Sequence, residues 1–335
     1  MLRLQSPGSV PVMATAVLVR EGAPRLTERV RSLLESESGI DLVDSGEPAD
    51  VIVDLRVGDH DGLGARRSSA TAEGESLMAE VRASGAHRIV LMSSALVYGA
   101  QLNNPIPITE DAPIRPEPSF VFARQLAAVE HVVDRWRRGS DGRSVTVLRP
   151  AVTVATSASS SLARALIAGS GQRWGHEDPP AQFLHLDDLA TAVVAVVRSD
   201  MEGPVNVAPD GWIPGDRVRA LSGARWRLPL PGRLSEGVAN LRWRFQRGPI
   251  PPGLGPYITA PWVVANDRLR SVGWQPTVTN EQAYVEGTEQ PWWSSVTPKR
   301  RQELALGIAG SAIVVGLVII VAVSRRAVQR ARLRR

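Results

Sequence analysis

The sequence contains no cysteine and only one lysine, Lys299. Without cysteine, disulfide bonds, thiolate nucleophiles and cysteine-ligated zinc sites are excluded, and the sequence carries no sign of the redox compartment. Since the lysine lies close to the carboxyl terminus, a catalytic or Schiff-base lysine within the folded part of the chain is excluded as well. Tyrosine is also scarce, and its only instances are Tyr98, Tyr257 and Tyr284.

Residues 1–298 carry no net positive charge. The net charge of +5 divides into +8 on residues 299–335, which hold nine basic residues and one acidic residue, and −3 on residues 1–298. A protein that binds nucleic acid needs lysine and arginine on its folded body to neutralise phosphates. We therefore expect no nucleic-acid partner. The acidic residues and histidines also form no cluster typical of a metal site, so we expect no metal.

One long hydrophobic run lies near the carboxyl terminus. The run Leu304–Val323 is twenty residues long, and Ser311 is its only polar member. A helix of that length spans about 30 Å, which is the thickness of the hydrocarbon core of a bilayer. Basic residues flank the run on both sides, as is typical of a membrane-spanning helix. We predict a juxtamembrane linker over 291–303, one transmembrane helix over 304–323 and a basic tail over 324–335.

Two features bear on the orientation of this helix. The arginine-rich tail favours a cytoplasmic carboxyl terminus by the positive-inside rule. Residues 1–12, however, lack the pattern of a signal peptide, which favours a globular domain that stays on the cytoplasmic side. We expect a cytoplasmic domain held at the membrane, with membrane lipid as a partner.

Upstream of this segment, short apolar runs alternate with amphipathic ones. Leucine and valine at helical spacing predict helices over about 24–37, 71–84 and 119–137. Short runs of apolar residues predict strands over 13–19, 40–43, 51–55, 88–92 and 144–148. Alternating strands and helices form a parallel sheet with right-handed crossovers. The sequence therefore predicts an α/β fold, a doubly wound parallel sheet with a smaller carboxyl-terminal lobe.

Several short motifs follow one another in order along this predicted fold. They are Ile89–Gly99 with Ser-Ser and Val-Tyr-Gly, Thr146–Pro150, Gln182–Ala190 with His-Leu-Asp-Asp, Gly203–Ala208, and Arg268–Pro276. In order and spacing together, the chain resembles the extended short-chain dehydrogenase/reductase family, the NAD(P)-dependent nucleotide-sugar epimerases and dehydratases. The resemblance implies NAD(P) as the cofactor and a nucleotide sugar or lipid-linked compound as the ligand.

The resemblance covers residues 11–290 and suggests how they divide. We assign the Rossmann core to about 13–152 and 182–207, and the substrate lobe to about 153–181 and 208–290. A helix with Leu234, Val238, Leu241 and Phe245 on one face is predicted in the lobe. The segment between Asp44 and Val51 is shorter than in the family, so we expect one strand and its crossover to be missing.

The two catalytic side chains of the family are replaced in this chain. The resemblance places Phe122 at the position of the tyrosine that acts as general acid and base, and phenylalanine has no transferable proton. It places Leu126 at the position of the lysine that lowers the pKa of that tyrosine and binds the nicotinamide ribose. Ser94 falls on the position that hydrogen-bonds the reacting oxygen, although a serine there also acts as a cap or turn former. Tyr98 matches the tyrosine of Val-Tyr-Gly, beside the proton-transfer position but outside it.

The phosphate-binding turn of the family is altered as well. Its three glycine positions carry Glu21, Pro24 and Thr27, so a carboxylate lies near the phosphates and proline removes one amide donor. Gly22 is the glycine that remains, shifted by one residue. Asp44, at the end of the second strand, either accepts hydrogen bonds from an adenosine ribose or forms a turn before Ser45 and Gly46.

Four further positions follow from the resemblance. Ser93 and Pro150 lie on the cofactor side of the expected site. His185 and Asp187 match the element beside the substrate pocket, where we expect Asp187 to cap the helix that runs to about Arg198.

Three interpretations remain open at this point. The chain is a degenerate family member used for binding, scaffolding or regulation, or it is an active NAD(P)-dependent epimerase, dehydratase or reductase with an atypical site. Alternatively, it is a structural partner of an active paralogue that pairs through the helix at 119–137, as a homo- or hetero-oligomer. Whether the protein is an enzyme is therefore undecided by the sequence, because the family is enzymatic while Tyr-x-x-x-Lys and the glycine motif are absent.

Overall fold

The computed structural model describes residues 14–61, 69–155, 159–170, 178–222 and 253–288. The strands are β1 Thr15–Arg20, β2 Ile40–Val43, β3 Val51–Asp54, β4 Arg88–Met92, β5 Ser144–Pro150, β6 Val152–Val154, β7 Phe183–His185 and β8 Gly203–Val207. The α-helices are α1 Pro24–Glu35, α2 Ala70–Ser84, α3 Val121–Arg138, α4 Ser161–Gly169, α5 Leu186–Arg198, α6 Gly215–Ser222, α7 Gly255–Thr259, α8 Asp267–Arg270 and α9 Asn280–Thr288. A 3-10 turn over Ala95–Tyr98 follows β4.

The main sheet has six parallel strands in the order β2-β1-β3-β4-β5-β8. Its strands are apolar on both sides because the sheet is covered on both faces. Val17 and Val19 pack toward α1 and α5. Leu18, between them in the sequence, packs toward α2 and α3 on the other face. The predicted doubly wound parallel sheet is confirmed.

The connection from β2 to β3 is short and contains no helix. Residues 44–50 carry the chain from β2, past β1, to β3 without a helix. The Asp50 carboxylate accepts from the Ala16 amide at 2.9 Å, and the Ala49 amide donates to the Ser84 carbonyl of α2 at 3.0 Å. The segment therefore crosses β1 without a helix or a further strand.

A smaller unit of structure follows the main sheet. Strands β6 and β7 form a two-stranded parallel sheet, with Val152 paired to Phe183. Helix α9 packs against β7, where the rings of Phe183 and Tyr284 meet edge to face at 4.9 Å. Of these elements, α9 falls in the predicted carboxyl-terminal lobe, whereas β7 falls in the range that was assigned to the core. The predicted helix with Leu234 to Phe245 lies outside the described residues.

The predicted transmembrane run 304–323 and the basic tail also lie outside the described residues. Within the part of the chain that the structure describes, no helix is both long enough and apolar enough to cross a bilayer.

A buried polar network joins β4, α3, β5 and β8. The Arg149 guanidinium contacts the Glu130 carboxylate at 2.6 Å and donates to the Tyr98 hydroxyl at 2.9 Å. Tyr98 in turn donates to the Asn206 side chain at 2.8 Å, and Ser93 donates to Glu130. All five side chains are buried. Every charge in the network is therefore paired, as a low-dielectric interior requires.

Burial also governs the ionisation of this network. Burial alone lowers the pKa of Arg149, but the adjoining Glu130 carboxylate more than offsets this and the pKa is raised. Burial raises the pKa of Tyr98 against the opposing charge of Arg149, so its phenol stays protonated at neutral pH. The network is thus a charged pair with a neutral phenol attached.

Removal of the Arg149 charge is expected to destabilise the fold strongly. Arg149→Met leaves the Glu130 carboxylate buried without its cation, which costs roughly 3–5 kcal/mol. Tyr98→Phe, which removes one hydrogen-bonding hydroxyl, is expected to cost about 1–2 kcal/mol. Urea unfolding of the three proteins measures both values. The pairing argument is wrong if the double variant Arg149→Met/Glu130→Gln is less stable than Arg149→Met alone.

Substitutions at Leu126 test whether the position that holds lysine in the family belongs to the hydrophobic core of this protein. Its side chain is fully buried in the cluster formed by the sheet, α2 and α3. Leu126→Lys places an unpaired ammonium in this cluster, and we expect a loss of roughly 3–5 kcal/mol in the free energy of unfolding. Leu126→Met, of similar volume, should cost less than about 1.5 kcal/mol. Thermal unfolding monitored by circular dichroism compares them, and equal stability of the two variants would contradict the assignment.

Candidate functional site

A cavity of about 130 Å³ lies at the carboxyl ends of the central strands. In a doubly wound sheet, ligands bind at this edge, near the point where the strand order reverses. Here the order reverses at β1, which lies between β2 and β3. The cavity is lined from each neighbouring loop, among others by Ala23, Leu55, Gly58, Ser93, Phe122 and Pro150. The cavity therefore occupies the position expected for the functional site.

The turn from β1 into α1 is tight and its donors are partly used. Gly22 lies so close to β3 that an added Cβ would be 2.2 Å from the Leu55 carbonyl oxygen. Its amide donates to the Thr27 hydroxyl at 3.1 Å. Pro24 begins the helix and has no amide hydrogen. Two of the amides that would meet a pyrophosphate at a helix amino terminus are thus engaged or missing.

The strands that flank this turn end in a buried ion pair. Arg20 and Asp54 are opposite each other in the β1–β3 register and form a salt bridge. Arg20 also donates to the Ser76 hydroxyl of α2 at 2.8 Å. Burial raises the pKa of Asp54, with Arg20 opposing that shift. The Arg20 guanidinium is therefore committed to the protein interior and is not presented to an anionic ligand.

Both serines of the Ser-Ser element line the cavity, but their hydroxyls are engaged. Ser93 donates to Glu130 in the buried network. Ser94 precedes the 3-10 turn and accepts from the Leu96 amide at 3.3 Å. Ser94 thus caps the 3-10 turn and also lines the cavity, so its position is compatible with both roles considered from the sequence.

Phe122 faces the cavity from the first turn of α3, one turn before the buried Leu126. The Phe122 ring meets the His60 ring edge to face, with centroids 4.8 Å apart and an interplanar angle of 88°. His60 lines the same cavity from the loop after β3. An imidazole therefore lies against the side chain at the family's tyrosine position.

His60 is held in place by Asp61 and by the start of α4. The Nδ1 atom of His60 is 3.1 Å from the Asp61 carboxylate. That carboxylate also accepts from the Ser161 amide at 2.9 Å and from the Ser161 hydroxyl. Burial alone raises the pKa of Asp61, but the hydrogen bonds from His60 and Ser161 outweigh it and lower the pKa to about 2. Asp61 is thus a carboxylate at neutral pH and fixes the imidazole in one orientation.

Tyr98, Gly22 and Asp44, which were also named from the sequence, do not line this cavity. The Tyr98 hydroxyl is part of the buried network, and Gly22 packs against Leu55. Asp44 is exposed at the end of β2, where its amide donates to the Glu47 side chain at 2.9 Å in a turn. Of the cofactor-side positions, Ser93 and Pro150 line the cavity, whereas Gly22 and Asp44 do not.

His185 and Asp187 lie at the start of α5 and do not line the cavity either. The prediction that Asp187 caps this helix is wrong. His185 is the cap residue, and its Nδ1 accepts from the Asp187 amide at 3.2 Å. The Asp187 carboxylate instead accepts from Arg29 of α1 at 2.9 Å, and His185 Nε2 is 3.1 Å from Glu286 of α9. Both side chains join elements of the fold.

His60 is a residue of the candidate site that was not predicted from the sequence. The signal available was an Asp-His-Asp run just after the carboxyl end of a buried parallel strand, which is where ligand-binding side chains occur in this fold class. The ring contact between His60 and Phe122 joins residues far apart in the chain, so spacing alone does not predict it.

The residues present fit NAD(P) poorly. The turn after β1 offers a carboxylate, a proline and an occupied amide, and the ribose-binding lysine is a buried leucine. The described residues contain no group of three or more histidine, cysteine or acidic side chains placed to hold a metal ion. Among the described residues that line the cavity, Asp59 and His60 are the only ionisable ones.

Sequence comparison places this geometry in context. The sequence profile of the NAD-dependent epimerase/dehydratase family matches residues 29–208, so the match begins after the altered turn. An uncharacterized protein of Mycobacterium bovis is 26% identical over 204 residues, which are 61% of this chain and 54% of that protein. The chain thus matches about half the length of this curated relative. A 3-diazoavenalumate denitrifying reductase of a Streptomyces species is 30% identical over 223 residues, 63% of this chain and 67% of that protein.

Solved structures show the same fold at low sequence identity. A UDP-glucose 4-epimerase from Thermotoga maritima, with UDP-glucose, has a TM-score of 0.56 at 14% identity and covers 82% of this chain and 97% of its own. A UDP-glucose 4-epimerase from Thermus thermophilus, in complex with NAD, has a TM-score of 0.53 at 17% identity and covers 81% and 97%. Fold, motif order and profile agree, and the chain belongs to the NAD-dependent epimerase/dehydratase family.

Proposed function

We propose that this protein is a membrane-tethered ligand-binding member of the family that has lost hydride-transfer chemistry and acts in binding, scaffolding or regulation. The observation that carries the proposal is the replacement of the family's proton donor. Phe122 holds the tyrosine position at the cavity wall, and phenylalanine neither gives nor takes a proton.

The lysine position supports the same conclusion. Leu126 is fully buried, one turn after Phe122, and packs in the core. Lys299 is the only lysine of the chain and lies outside the matched part of the family profile. The lysine that in the family binds the cofactor's ribose and lowers the pKa of the catalytic tyrosine therefore has no counterpart at this position.

The turn between β1 and α1, where the family binds the cofactor's pyrophosphate, also supports the proposal. With Glu21 at a glycine position, Pro24 at the helix start and the Gly22 amide bonded to Thr27, the turn offers few donors to a pyrophosphate. Losing proton donor, ribose anchor and phosphate turn together removes more than a single substitution would. We infer that NAD(P) binding is weak and that the cavity serves another ligand.

The membrane tether rests on the run 304–323. Its length matches the hydrocarbon core of a bilayer, and basic residues flank it. A cytoplasmic domain held at the membrane would meet ligands or protein partners there, as a monomer or in an oligomer.

Cofactor binding tests the loss of redox chemistry. We expect calorimetric titration of the full chain with NADH and NADPH to show no saturable binding up to about 1 mM, which corresponds to about −4 kcal/mol. Phe122→Tyr, which restores only the phenol, should also show no cofactor oxidation. An active short-chain dehydrogenase measured in the same buffer is the control. Saturable micromolar binding to the wild-type protein would refute the proposal.

An active reductase or epimerase is the second candidate. The similarity to a Streptomyces protein named as a reductase favours it, as does the retained Ser94 at the cavity. This candidate requires cofactor binding, so the same titration separates the two. Micromolar NADH or NADPH binding to the wild-type chain would support the enzyme.

Membrane attachment has its own test. The full chain expressed in bacteria should sediment with the membranes and resist extraction by alkaline carbonate. A variant with Val314→Arg and Val318→Arg, which places two charges in the apolar run, should move to the soluble fraction because each charge is costly in a bilayer. Protease digestion of inverted vesicles should cut the globular domain if it is cytoplasmic. Recovery of the wild-type chain in the soluble fraction would contradict the tether.

A further inference from the structure

We propose that the cavity binds a neutral ring-containing ligand through a hydroxyl group, which donates a hydrogen bond to Nε2 of His60. This inference rests on the proposed function, because it names the ligand class of a site that no longer handles a dinucleotide. Its basis is the size of the cavity, the charges on its wall and the way His60 is held.

The volume and the lining of the cavity favour a small ligand that is mostly apolar. A cavity of about 130 Å³ is close to the size that accepts one six-membered ring. Leucine, valine, alanine and aromatic side chains make up most of its lining. Among the described residues that line it, none is arginine or lysine, so phosphate groups find no cation there. A nucleotide sugar is therefore a poor match.

The polar groups of the wall are mostly committed to the protein. Ser93 donates to Glu130, and Ser94 accepts from the Leu96 amide. Ser160 caps α4 by accepting from the Ala163 amide at 3.1 Å. Asp59 and His60 are the only ionisable side chains among the described lining residues. Thr153 also lines the cavity, and its hydroxyl donates to the Ala151 carbonyl at 3.3 Å. Each hydroxyl of the wall is thus used at least once by the protein, and the Asp59–His60 corner carries the ionisable acceptors that face a ligand.

His60 is the member of this corner that contacts the catalytic position of the family. Its Nδ1 faces the Asp61 carboxylate, which only accepts, so in the neutral imidazole the proton lies on Nδ1. Nε2 then carries a lone pair and accepts a hydrogen bond. The edge-to-face contact with Phe122 sets the ring plane. A ligand hydroxyl is the complementary group, and its ring extends along the apolar wall.

The test compares two probes of which one has a hydroxyl donor and the other has a methyl group in place of the hydroxyl hydrogen. We use p-cresol and its methyl ether 4-methylanisole, titrated by calorimetry into the full chain in lipid nanodiscs, with empty nanodiscs as the blank. We expect p-cresol to bind about tenfold more tightly, the value of one hydrogen bond. UDP-glucose should neither bind nor displace p-cresol. Equal affinity for the two probes, or displacement by UDP-glucose, would overturn the proposal.

Variants assign the preference to His60. His60→Phe keeps a ring beside Phe122 and removes both nitrogens, so it should bind the two probes equally. His60→Gln keeps an acceptor and should retain part of the preference for p-cresol. An unchanged tenfold preference in His60→Phe would exclude His60 as the acceptor.

A measurement on the unmutated chain makes the test independent of how the variants fold. With ring-labelled histidine, p-cresol should shift the NMR resonances of His60 and 4-methylanisole should not. An unshifted His60 at saturating p-cresol would refute the contact. Saturable binding of NADH would instead refute the proposed function. If NADH does not bind and the protein has equal affinity for p-cresol and 4-methylanisole, this inference alone is refuted.

Discussion

The ion pair between Glu130 and Arg149 is the interaction on which the architecture around the site depends. Both charges are buried, and each is compensated by the other and by neighbouring hydroxyl groups. Because Glu130 comes from α3 and Arg149 from β5, the pair fixes the helix on the sheet. Tyr98 and Asn206 extend it to the 3-10 turn and to β8. An unpaired charge at this depth would cost several kcal/mol, so these elements keep one arrangement.

This constraint also fixes the helix that carries Phe122 and Leu126. With α3 fixed, Phe122 stays at the cavity wall and Leu126, one turn later, stays in the core. The backbone positions of the family's tyrosine and lysine are therefore kept, although the side chains are apolar. An apolar pair suits a packed helix better than a buried lysine does. The loop after β3 then supplies the nearest titratable ring, His60, oriented by Asp61.

The fold was largely predictable because its signals are local and repeated. Strand β4 was predicted at its observed bounds, since an apolar run between helical patterns identifies a buried parallel strand. The edge strand β2, which is only partly buried, was predicted at its observed bounds as well. The segment between Asp44 and Val51 was expected to lack a strand and its crossover, and it holds neither a strand nor a helix. The cap of α5 was predicted incorrectly, because an aspartate at a helix start usually caps it, whereas here the neighbouring histidine does so and Arg29 holds Asp187.

The sequence by itself determined the alternation of elements, the absence of a catalytic lysine and the loss of the tyrosine, since these follow from residue identity and local periodicity. The tertiary structure alone decided which polar groups are free to act. It committed Tyr98, Ser93 and Arg20 to buried partners, and it placed the His60 ring against the Phe122 ring at the cavity wall. The physical reason is that hydrogen bonds and ring contacts between distant residues depend on packing, which no local pattern records.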